Sequence, residues 1–106
     1  MNSRSTRKFT DKSPYQYAWM TPSEIHPYIR DMEDLEVSVK ARTSGFLYNY
    51  LKTGTPQKLI HKESDQEGLT WGQKRNLFIR RTLAAYKKDP TIRRKLSLIA
   101  WAYDPN

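Results

Sequence analysis

Residues 70–103 read TWGQKRNLFIRRTLAAYKKDPTIRRKLSLIAWAY, and this stretch decides the fold. Thr70 and Gln73 bracket Trp71 as a capping box, in which each side chain meets the other residue's backbone N–H. At about 100° per residue, Trp71, Phe78, Ile79, Thr82, Leu83, Ala85 and Tyr86 fall on one broad apolar face. Lys74, Arg80, Arg81, Lys87 and Lys88 fall on the other. Arg75 projects into the apolar stripe, from whose edge it can reach water by snorkelling. This predicts a helix over 71–88. Asp89-Pro90 then ends one helix and opens the next, with Asp89 as cap and Pro90 in the first turn. Ile92, Leu96, Ile99 and Tyr103 line up on that second helix, and Arg93 and Arg94 lie off the line. So short a link makes an elbow or a tight helical hairpin. It is tighter than the turn of a helix-turn-helix and has no glycine, which argues against that motif.

The same stretch holds the charge of the chain. It has nine basic residues against Asp89 alone, an excess of +8, which equals the net charge of all 106 residues. The remainder therefore sums to zero. A positive field this concentrated attracts polyanions before any specific contact forms.

Outward from that pair, residues 1–14 are polar and basic, ending at Pro14, and predict a flexible arm with Arg4, Arg7 and Lys8 as candidate backbone or groove contacts. Tyr15, Tyr17 and Trp19 alternate with Gln16 and Ala18, as expected of an extended segment laid on helices. Thr21-Pro22-Ser23-Glu24 is a second capping box with proline at the first helical position. Pro27 sits too deep for an uninterrupted helix, so a short turn followed by a helix over about 27–36 is expected. Asp31, Glu33, Asp34 and Glu36 make this the acidic region of the chain, available to pair with the basic half. Val37 and Val39 alternate with Ser38 and Lys40, suggesting a strand or a helix end. Ser44-Gly45 starts a further helix, apolar nearly all round through Leu51 and stopped by Gly54. Thr55-Pro56 opens a turn, and 61–69 read as an exposed loop.

Composition narrows the chemistry. The chain has no cysteine, which removes disulfides, thiolate metal sites and thiol catalysis. No run approaches the roughly 20 apolar residues that span a bilayer. The apolar fraction of 37% is low, but thirteen aromatics favour a folded core. His61, Glu63, Asp65 and Glu67 alternate in the loop without the Gly and distal Glu of a calcium loop, so they read as a solvated cluster. No glycine-rich phosphate loop and no marked nucleophile is present. Neither a catalytic residue nor a metal or cofactor is expected.

The expectation is an all-α protein: one small domain over 15–106, a bundle of four or five helices with a C-terminal hairpin or elbow, preceded by the flexible basic arm 1–14. The expected function is nucleic-acid binding, to DNA or RNA, in the cytoplasm or on the nucleoid. Its contacts to phosphates would come from Lys74, Arg75, Arg80, Arg81, Lys87, Lys88, Arg93 and Arg94. Trp101 lies off the buried line of the last helix, where it either fills a second packing interface or forms with Leu98 a patch for base stacking or a partner contact. Gln73 and Asn76 are in position for base edges. The alternative is an interaction module or inhibitor, of the kind carried by phages or mobile elements, that docks on an acidic protein such as a nucleic-acid enzyme.

Overall fold

The computed structural model describes residues 16–64 and 68–106. The expected arm, with Arg4, Arg7 and Lys8, lies outside the described residues, as do Asp65 and Glu67 of the acidic loop. The described residues form a helical bundle: α1 (Pro22–Asp34), α2 (Val39–Thr43), α3 (Phe46–Thr53), a 3₁₀ turn (Pro56–Lys58), α4 (Trp71–Lys88) and α5 (Ile92–Ile99). No named strand occurs among them. Glu63 and Thr70 make one isolated antiparallel bridge.

Both capping boxes form. Thr21 accepts from the Glu24 N–H at 3.2 Å and Glu24 accepts from the Thr21 N–H at 2.8 Å. Thr70 and Gln73 repeat the exchange at 3.2 and 3.0 Å. The cap of α4 is reinforced from outside the helix. The N–H groups of Trp71 and Gly72, which no helical carbonyl can serve, donate to Lys62 O at 2.8 Å and Ile60 O at 3.1 Å.

Pro27 does not split α1. The helix runs on from Pro22, and Pro27 lies on its exposed side. A proline removes the bond to the carbonyl four residues earlier, and here that carbonyl belongs to exposed Ser23. Capping at Thr21 and burial of Ile25 and Met32 offset the loss. The segment around Val37 and Val39 is not a strand. Val39 begins α2, and Val37 closes α1: its N–H donates to Met32 O at 2.9 Å while the Glu36 N–H donates to Glu33 O at 3.2 Å. This is a Schellman motif, with Glu36 at φ +54° in the position usually held by glycine. Its apolar clasp is Met32 against Val37, both buried.

The last helix ends by the same device, and earlier than expected. The Tyr103 N–H donates to Leu98 O at 3.1 Å and the Ala102 N–H to Ile99 O at 2.8 Å, with Ala102 at φ +62°. Its start also differs. Thr91, not Asp89, is the N-cap, accepting from the Arg94 N–H at 3.1 Å. The link from α4 is thus Asp89-Pro90-Thr91, three residues, and its length no longer argues against a helix-turn-helix. Ile92, expected on the buried line, is 54% exposed. Helix α3 is amphipathic and not apolar all round: Phe46, Leu47 and Tyr50 are buried, and Tyr48 and Leu51 face out.

The core is aromatic. Trp101 is sandwiched between Phe46 at 4.7 Å and Phe78 at 4.8 Å, with interplanar angles of 18° and 19°. Trp71 meets Phe46 edge-on, and Trp19 leans on Phe46 and Tyr50. Gly45 permits the tight α2–α3 corner, because a Cβ there would meet Ala41 Cα at 3.0 Å and Lys40 O at 3.1 Å. The 16–20 segment lies on the helices as expected. The Met20 N–H donates to Ala102 O at 2.7 Å, and the Tyr50 hydroxyl donates to Met20 O at 2.7 Å.

Candidate polyanion-binding face

Helix α4 sorts its cations by side. Arg80, Arg81, Lys87 and Lys88 are exposed, and Ala84 completes their face. The spacing is i, i+1, i+4, i+7 and i+8, so successive Cβ atoms on this side lie about 5–6 Å apart along a helix that rises about 1.5 Å per residue. The four cations therefore span about 12 Å of axis. None of them makes a hydrogen bond or ion pair among the described residues. Lys87 and Lys88 also occupy the last turn, where positive charge suits the helix dipole whether or not a ligand binds. No such helical reason applies to Arg80 and Arg81. Lys74 stands at the edge of the face, half-buried, with its Nζ 5.4 Å from the centroid of the Trp71 ring.

Arg75 does not belong to this face. It is fully buried, at 0% exposure. Its Nε donates to Trp101 O at 2.7 Å, Nη1 to Tyr17 O at 3.0 Å, and Nη2 to Ala18 O at 2.8 Å and Ala102 O at 2.9 Å. Its guanidinium lies 3.9 Å from the centroid of the Trp19 ring. The acceptors Trp101 O and Ala102 O are carbonyls at the end of α5, where the helix dipole is negative. Among the described residues, the charge is held by oxygens and an aromatic face with no carboxylate in contact. Burial pulls the guanidinium down to about 9, and nearby Tyr50 and Tyr103 act in the opposite direction. It stays cationic at neutral pH. Expected as a phosphate contact, Arg75 is a clamp that ties the 16–20 segment and the end of α5 to α4.

Four further expected contacts change place. Leu98 is fully buried, and Trp101, at 8% exposure with both ring faces covered, cannot stack on a base. Their positions on the wheel pointed away from the first apolar line, but α5 is packed on two sides. Gln73 spends its side chain on the cap and Asn76 is buried, so neither is placed for a base edge.

The cations of α5 turn toward protein. Arg93 Nη1 donates to Leu35 O at 2.7 Å. Arg94 Nη1 meets Asp89 Oδ2 at 2.9 Å and Asp89 O at 2.7 Å. Lys95 Nζ lies 5.9 Å from the centroid of the Tyr28 ring. The acidic end of α1 is thus met by α5 through a backbone carbonyl and an aromatic ring. Arg93 and Arg94 keep exposed surface, but each is already engaged by the protein.

No helix among the described residues is long and apolar enough to cross a membrane, and no group of three or more His, Asp or Glu is placed to hold a metal ion. Comparison with protein-family models, curated proteins and solved structures returns no match.

Proposed function

We propose that this protein binds nucleic acid through the outer face of α4, without catalysis, in the cytoplasm or on the nucleoid. The observation that carries the reading is the face itself. Arg80, Arg81, Lys87 and Lys88 are exposed, share one side of a single rigid helix, and make no bond among the described residues. A helix presenting cations at this spacing can meet several phosphates of one backbone at once. Each phosphate neutralised releases condensed counterions, which gives affinity at the expense of strong salt dependence. The absence of a free amide side chain on the face makes backbone contact, not base-edge reading, its chemistry. Four engaged cations imply a log–log salt slope of about −3.6 on duplex DNA. A binding titration on DNA and on RNA at several salt concentrations tests this, and no binding at low salt ends it.

A second reading is favoured by a different surface. Leu35, Val39 and Ile92 are exposed apolar side chains, and Arg93 joins two of their segments by its bond to Leu35 O. Exposed Ile92 beside Arg93, with exposed Leu35 bonded to that arginine, suits docking on an acidic protein. Under that reading Ile92→Ser abolishes a nuclease-resistant interaction and neutralising the α4 face does not.

A further inference from the structure

Beside the cationic face, a cleft of about 450 Å³ opens between α2 and the α4–α5 pair. Its size falls within the range of about 300–1,000 Å³ usual for small-ligand sites. Its apolar lining includes Trp71, Phe78 and Trp101, and its polar lining includes Lys40, Lys74 and Ser97. Phe46, Trp101 and Phe78 form a three-ring stack that ends at Phe78. Phe78 is half-buried, and among the described residues no ring covers its far side. On the same helix Lys74 precedes it by four residues and Arg81 follows by three, the two spacings that make side chains neighbours. Lys74, Arg81 and Lys88 follow one another at intervals of seven, along the border between cleft and cationic face.

The geometry points to a site for one unstacked nucleobase of a single strand, lying on the end of the ring stack at Phe78, with the flanking phosphates on Lys74 and Arg81. This rests on the phosphate-binding reading of α4 and adds to it the form of nucleic acid preferred. A flat π-face with cations to either side is the arrangement by which proteins hold single strands without reading sequence. A duplex keeps its bases stacked on one another and cannot offer one to the cleft.

The test titrates three probes at several salt concentrations: a thymidine strand of about ten nucleotides, an abasic strand of the same length and phosphate count, and the thymidine strand annealed to its complement. The expected result is that the thymidine strand binds about tenfold more tightly than the abasic strand and the duplex, with the same salt slope as the abasic strand. Phe78→Leu, which keeps apolar bulk but loses the ring face, and Ser97→Phe, which fills the cleft, each remove the preference and leave the slope unchanged. Equal affinity for the thymidine and abasic strands, or a preference that survives both substitutions, overturns the base site and leaves the phosphate reading standing. If none of the three probes binds at low salt, the phosphate reading falls and takes the base site with it.

Discussion

The Arg75 guanidinium lies 3.9 Å from the centroid of the Trp19 ring, and its donors reach four main-chain carbonyls on either side. Arginine suits this place because its planar fork carries five donors in fixed directions and the cation is weakly hydrated. The indole covers one face, and the carbonyls take the edge. An N-terminal strap and the last helix, some eighty residues apart in sequence, are joined through one side chain.

Arg75→Met is expected to destabilise the protein by about 2–4 kcal/mol, because it leaves the buried Trp101 carbonyl and the part-buried Tyr17 and Ala18 carbonyls without their donor, while Ala102 O keeps the Met20 N–H. Arg75→Lys keeps the charge, but its ammonium has three donors, and it recovers part of the loss. Thermal unfolding of the three proteins checks the order: wild type, then lysine, then methionine. A melting temperature unchanged in Arg75→Met contradicts the clamp.

Tyr50 gives the alkaline limb of stability. Burial raises its phenol above the ordinary value of 10.0, and the hydroxyl donates to Met20 O. The unfolded chain ionises at the ordinary value while the folded chain keeps its proton. The stabilisation is therefore complete below pH 10 and declines as pH rises beyond it. Arg75 acts in the opposite sense, since burial lowers its guanidinium below the ordinary value in the folded chain alone. Tyr50→Phe isolates the tyrosine: it costs about 1–2 kcal/mol at neutral pH, and its deficit relative to wild type shrinks above pH 10. A deficit constant with pH contradicts the assignment.

The two Schellman motifs offer a paired experiment. Glu36 is exposed and left-handed, so Glu36→Gly relieves about 1–2 kcal/mol of backbone strain, less the added entropy of the unfolded glycine. A net gain of about 0.5–1 kcal/mol is expected in thermal melts. Ala102 has the same conformation but is fully buried, and Ala102→Gly removes a packed methyl, so its gain is cancelled. Equal gains at both sites would contradict this account of the motif.

Gly45→Ala is expected to cost about 1–3 kcal/mol, because the new methyl meets backbone atoms of α2 that cannot move aside as a side chain would. The midpoint of urea unfolding checks it, and a midpoint equal to wild type would show that the corner opens freely.

Helix α4 was legible from residues 70–88 to its end positions, because a capping box, a long amphipathic pattern and a proline two residues past Lys88 all agree. Both capping boxes and the helical class follow from similar local signals. What escaped depended on tertiary partners. Arg75 lay visibly within an apolar stripe, but only the folded chain supplies the carbonyls of residues 17, 18, 101 and 102 that receive it. The missed signal was an arginine between Trp71 and Ile79 in a chain with Tyr17 and Trp19 to cover it. Leu98 and Trp101 lie off the first apolar line of α5, and of the two places open to Trp101 the folded chain takes the second packing interface, because the helix is buried on two sides. Pro27 shows the reverse: a strong local breaker overruled by the cap before it and the core contacts around it. Of the expected phosphate contacts, Arg80, Arg81, Lys87 and Lys88 stand together on one face, Lys74 stands at its edge, Arg93 and Arg94 are engaged by the protein, and Arg75 lies inside.

The most direct test of the central claim is the salt dependence of nucleic-acid binding by wild type and by the variant carrying Arg80→Gln, Arg81→Gln, Lys87→Gln and Lys88→Gln. Neutralising four phosphate contacts should reduce the magnitude of the log–log slope on duplex DNA by about 3.6 and abolish most binding at moderate salt, with a stability cost of about 1–2 kcal/mol, mostly from Lys87 and Lys88 at the helix end. An unchanged slope and affinity in a fully folded variant would contradict the proposal that this face of α4 holds the phosphates.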